Sequence, residues 1–137
     1  MATPKEVLSQ YNVTPMKKEN PNGSAIAELI SRAFKTRNLT HFAHWSTNSY
    51  AAHQALGELY DEIVGQIDEI VEVYQGKYGL LKGLTTMKAK VPSNILKHVE
   101  AEAEWIAQNK EAIAGGCDSI MNLIDELDAA YLKIIYK

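Results

Sequence analysis

The period at which apolar residues recur leaves this chain little choice of fold. The series Leu56, Tyr60, Ile63, Ile67, Ile70 and Tyr74 advances by three or four residues at a time. The same step returns in Leu96, Val99, Ala103, Ile106 and Ile113, and again in Ile120, Leu123, Ile124, Leu127, Tyr131 and Ile134. Such steps put side chains on one face of an α-helix, and the resulting stripe must be covered by another element. An earlier stretch is less regular, with Ile26, Ile30, Ala33 and Phe34 near its start and polar residues toward its end. No stretch alternates with the two-residue period of a strand. Four amphipathic helices without strands predict an all-α four-helix bundle.

Helix breakers separate the stripes. Ser24 as N-cap, with Glu28 near the capping-box position, predicts a first helix over residues 24–45. Ser46-Thr47-Asn48-Ser49 is poor in helix formers and predicts a hairpin. A second helix is expected over residues 49–75, ahead of Gly76 and Gly79. The third starts at Ser93 or Asn94 and stops at Gly115-Gly116, a C-terminal signal; the fourth runs from Asp118 to the chain end. The connection from Gly76 to Pro92 is longer than a bundle hairpin needs and has room for a short helix. A long crossover between helices two and three is the ferritin-like arrangement. Residues 1–23, with Thr14-Pro15 and Asn20-Pro21-Asn22-Gly23, read as an irregular arm holding a turn of helix over residues 5–10. Residues 24–137 are left as the bundle.

Composition removes several functional classes. The chain has 137 residues, enough for one domain, with a net charge of −3. It lacks an overall positive field for nucleic acid, so DNA binding would rest on a local patch such as Lys5, Lys17 and Lys18 of the arm, weak singly and strengthened by copies. No apolar run approaches the roughly 18 residues of a membrane span, and no signal sequence opens the chain. The single cysteine, Cys117, excludes an intrachain disulfide and fits a reducing, cytoplasmic setting. Without a His-Asp partner set it reads as a packing residue. No P-loop, dinucleotide fingerprint or serine nucleophile elbow is present.

Chemistry concentrates between His41 and Glu72. His41, His44 and His53 precede an acidic helix carrying Asp61, Asp68 and Glu72. Imidazole and carboxylate together suit a cation such as Fe(II). His53 and Asp68 are fifteen residues apart, roughly 22 Å along one helix, so a single chain cannot bring them to one ion. Two copies of the helix crossing antiparallel about a two-fold axis can, with the axis near residues 60–63. Gly57 and Gly65 flank that centre, and each costs about 1 kcal/mol against alanine in a helix interior. Their placement is rational if the partner's backbone approaches there. A hairpin at residues 46–49 would set His44 and His53 on facing helices, where their imidazoles can converge. His98 and Glu102 read as surface residues, and the absence of any Glu-x-x-His argues against a di-iron centre inside one bundle.

The segment over residues 41–73 resembles the signature of the Dps family of ferritin-like mini-ferritins. The matching pieces are His44-Trp45, His53, Glu58-Leu59-Tyr60, Ile67-Asp68-Glu69-Ile70 and Glu72. The resemblance implies a homo-oligomer, built from two-fold dimers into a hollow dodecamer, that oxidises Fe(II) with peroxide and stores ferric iron. It implies a ligand set of His44 and His53 from one chain with Asp68 and Glu72 from its mate. His41 and Trp45 would stand behind the ligands. Two departures accompany it: the spacing between the histidines is about three residues shorter than is usual, and Gly57 stands where the family usually has Asp. Asp61, one turn further on, is a further candidate ligand. The competing expectation is a ferritin-like bundle that has lost turnover and serves as a structural or interaction protein.

Overall fold

The computed structural model describes residue 3 and residues 23–137. The arm over residues 1–23 and its expected turn of helix therefore lie outside the described residues, apart from Thr3 and Gly23. Among the described residues there are four helices, α1 (Gly23–Ser46), α2 (Tyr50–Tyr78), α3 (Ile95–Ala114) and α4 (Asp118–Tyr136), and no strand. None of them is long and apolar enough to cross a membrane.

Each boundary has a local cause. The helix already includes Gly23, so Ser24 stands inside the first turn rather than at the cap, a one-residue difference of the kind only cap geometry decides. Ser49 caps α2 by accepting the Ala52 N–H at 3.2 Å, and Asn94 caps α3 by accepting the Lys97 N–H at 3.1 Å. Gly115 ends α3 in the left-handed region (φ 60°, ψ 32°) while its N–H bonds the Glu111 carbonyl. Helix α2 runs three residues beyond the expected Gln75 and through Gly76, stopping at Gly79. Tertiary contact explains the extension. The Tyr78 hydroxyl donates to the Ala114 carbonyl at 2.8 Å, and its ring packs on Tyr74.

The crossover over residues 79–94 contains no helix. Glycines at 79 and 83 take positive φ, and Pro92 lies near its end. It lies along α1 instead, held where the buried Ser31 hydroxyl donates to the Thr85 carbonyl at 2.6 Å. Groove residues fix its direction, since Lys82 neighbours Gly23 whereas Met87 and Lys88 neighbour Phe42. The strap thus travels the length of α1. Helices α1 and α4 point one way and α2 and α3 the other. Helix α1 packs on α2 and α3, and α4 packs on the same two, so adjacent helices are antiparallel. That is the ferritin-like order.

Between the four helices lies one apolar core, in which Ile26, Ile63, Ile70, Ile106, Ile124 and Leu127 are fully or almost fully buried. Phe34 and Leu96, expected on apolar stripes, are 38% and 40% exposed. Phe34 follows buried Ala33 and is turned by about 100° from it, off the core-facing stripe. Cys117 packs half-buried against the core, at the N-cap position of α4 without a side-chain cap bond.

Candidate functional site

The hairpin brings His44 and His53 together. One stands half a turn before the end of α1 and the other one turn into α2, and their rings stack with centroids 3.6 Å apart and planes 19° apart. Each ring is tied to the opposite helix: His44 Nδ1 bonds the His53 carbonyl at 2.5 Å, and His53 Nδ1 bonds the His44 carbonyl at 2.8 Å. A carbonyl only accepts, so each Nδ1 carries the proton and donates it. In its uncharged form each ring then keeps its lone pair on Nε2, the arrangement by which a protein presents an imidazole to a metal. Imidazole lone pairs lie in the ring plane, and planes this nearly parallel do not converge within bonding distance. Each ring can thus serve one ion, and the pair can serve two ions side by side.

Gly57 makes the pairing possible. A Cβ there would come within 3.1 Å of His44 Cε1 and 3.3 Å of its Nδ1. The sequence reading set this glycine toward a partner's backbone, but its open side is filled by an imidazole of its own chain. At Gly65 a Cβ would meet nothing within 4 Å, so that position is open.

Aromatic groups back the pair. His41 stacks on Tyr60 at 3.9 Å and lies 4.3 Å from the Trp45 ring, while Tyr60 meets His44 edge-on at 5.3 Å. Arg37 sits over the Tyr60 ring, 5.4 Å from its centroid. Partial burial, with the positive charge of Arg37 and the neighbouring His44, lowers the pKa of His41, and Asp61 opposes the shift. His41 and Trp45 thus stand beside the histidine pair. Tyr60 and Arg37 were not foreseen in this role. Tyr60 lay on the apolar stripe, and nothing in the spacing of Arg37 marks a partner on the next helix.

The acidic half of the expected ligand set is elsewhere on the same chain. Asp68 and Glu72 are exposed on the outer face of α2, and Asp61 shares that face nearer the histidines. Among the described residues, no three His, Cys, Asp or Glu side chains of one chain gather as an ion site. The structure therefore unites the two imidazoles and leaves the carboxylates open on the surface.

A second polar cluster corrects the reading of His98 and Glu102 as surface residues. Glu102 is 5% exposed. It accepts from Arg32 at 3.1 and 3.3 Å, with Lys35 at 3.5 Å. His98 Nε2 pairs with the Thr36 hydroxyl at 3.0 Å, and Arg32 lies 4.5 Å over the Trp105 ring. Burial lowers the pKa of His98 and raises that of the enclosed Tyr131 phenol. With two cations on its one carboxylate, this network is built to hold α1 against α3. The available sequence signal was position: His98 and Glu102 flank the core residues Val99 and Ala103.

Comparison with known proteins returns one family. No curated protein and no solved structure matches the chain. With a match over residues 44–137, from the first imidazole of the pair through α4, the chain belongs to the family of unknown function DUF5856.

Proposed function

We propose that this protein binds Fe(II) as substrate, oxidises it at a site shared by two copies, and stores the ferric product in an oligomeric shell. The observation that supports this is the anchored imidazole pair, in which both Nδ1 atoms are committed to backbone carbonyls and neither Nε2 atom has a hydrogen-bond partner among the described residues. The free outer face of α2 supplies the complement: Asp68 and Glu72 of a two-fold mate would bring the anionic donors that the imidazoles lack. Two Fe(II) ions, one at each imidazole, would give one electron each to hydrogen peroxide, and two protons complete its reduction to water. Carboxylate charge favours Fe(III) over Fe(II), which drives the transfer and keeps the product bound.

Complementation between copies tests the reciprocal arrangement. Two variants, His53→Ala and Asp68→Ala, should each lose Fe(II) binding and oxidation. Assembled together in equal amounts, they should recover about a quarter of wild-type sites, because half the dimers are mixed and each mixed dimer holds one intact site. Oxidation at background rate in wild type would reject the enzymatic reading.

One observation favours a second reading, a bundle without turnover. The Gly57 position has no carboxylate, and the space beside it is taken by the His44 ring. Stoichiometric Fe(II) binding without oxidation above background is its signature.

A further inference from the structure

The charges of this acidic chain are sorted by face. No acidic residue lies between Glu28 and Glu58, and none between Glu72 and Glu100. The first stretch is mostly α1, with Arg32, Lys35 and Arg37; the second contains the crossover, with Lys82, Lys88 and Lys90. The fold lays one along the other. Arg32 and Lys35 are engaged with Glu102. Lys82, Lys88 and Lys90 are exposed, and none is in an ion pair among the described residues. Among and just beyond them stand exposed apolar side chains: Leu84 at 52%, Met87 at 38% and Val91 at 40%.

The complementary surface is on the same chain. Helix α3 presents Glu100, Glu104 and Glu111 as an exposed stripe, and Asp125 of α4 reaches α3 through Lys110. Of the four lysines of this half, Lys110 and Lys137 are paired with Asp125 and Glu58, while Lys97 and Lys133 are exposed with no ion pair among the described residues. We infer that the lysine strap over residues 82–91 docks on the acidic α3 stripe of a second copy. The apolar residues between the lysines favour a protein surface over a bare phosphate backbone, and the net charge of −3 opposes approach of a polyanion to the whole molecule. The contact is head-to-tail, strap to stripe, and so differs from the two-fold face that carries Asp68 and Glu72. A head-to-tail contact forms a ring where its rotation closes and a filament where it does not. The inference does not depend on metal binding.

Native mass of the full chain, followed against salt, tests it. Wild type should exceed a dimer at low ionic strength and lose mass as salt rises, since screening shortens the reach of exposed charges to about 8 Å near 0.15 M. The triple variant Lys82→Glu, Lys88→Glu, Lys90→Glu should stop at the dimer, as should Glu100→Lys, Glu104→Lys, Glu111→Lys. Mixing the two should restore the larger species, because each supplies the reversed half of one contact; a variant that had merely unfolded could not be rescued this way. Wild-type mass in either variant, or no recovery on mixing, overturns the inference. So does a strap variant of unchanged mass that loses retention of a short DNA duplex, which would make the strap a polyanion site. A His53→Ala control should keep the wild-type mass, so failure of the iron reading and failure of this contact are read separately.

Discussion

At residue scale, a missing side chain governs the site. The His44 ring occupies the space that a Cβ at position 57 would need. Gly57→Ala should therefore displace the imidazole by a few tenths of an ångström or more and weaken the proposed Fe(II) binding. The helix itself should gain up to about 1 kcal/mol from the better helix former. Binding and thermal midpoint measured together check this: affinity falls while stability holds or rises. The opposite pattern, lost stability with intact binding, would contradict the role given to Gly57. His98 provides a second test, by pH. Burial lowers its pKa in the folded chain, so the unfolded chain binds the extra proton first. The contribution of His98 should thus leave stability intact above the unfolded value of about 6.5 and erode it as pH falls below that. Denaturation midpoints between pH 7.5 and 5 should show the loss, and His98→Gln should reduce the slope.

At the scale of elements, the ends of the helices are held by different devices, and each can be removed alone. Asn94→Ala deletes the α3 cap and should cost about 1 kcal/mol. Gly115→Ala forces a Cβ into the left-handed region and should cost roughly 1 kcal/mol, read from urea midpoints at constant slope. The crossover is different, because few hydrogen bonds hold its sixteen residues. Ser31→Ala removes its bond to α1 and should speed amide exchange over residues 82–90 with little effect on the helices. Equal acceleration in α1 itself would mean that the strap and helix open as one unit.

At the scale of the molecule, one carboxylate ties two helices that are far apart in sequence. Glu102 holds Arg32 and Lys35 across the α1–α3 contact, while the Thr36 hydroxyl takes His98. Glu102→Ala would leave both cations facing each other near the core. The loss should be about 2 kcal/mol, below the range for fully enclosed pairs because Arg32 and Lys35 keep partial access to water. Glu102→Gln should lose less, since it still accepts a hydrogen bond. Thermal unfolding of the two variants side by side measures the difference. The topology that this network fastens also decides which surfaces remain free. Once α1 has covered one side of α2 and α4 the other, the face carrying Asp61, Asp68 and Glu72 is left to solvent or to a mate.

Local chemistry made much of this legible in the residues alone. Apolar steps of three and four, the helix-breaking residues 46–49, a start at Ser93 or Asn94, Gly115 as a stop and a connection too long for a hairpin determined four helices and their crossover, because each signal acts within a turn or two of itself. The meeting of His44 with His53 was legible for the same reason, being only a hairpin apart. Contacts between distant segments were not. The buried setting of Glu102, the use of Gly57 to seat an imidazole, the extension of α2 through Gly76 to Tyr78, and the course of the crossover along α1 all depend on which helix faces which. Sequence period specifies a face but not its neighbour; only the packed bundle assigns one, and that assignment turned an apparent surface acid into a core anchor.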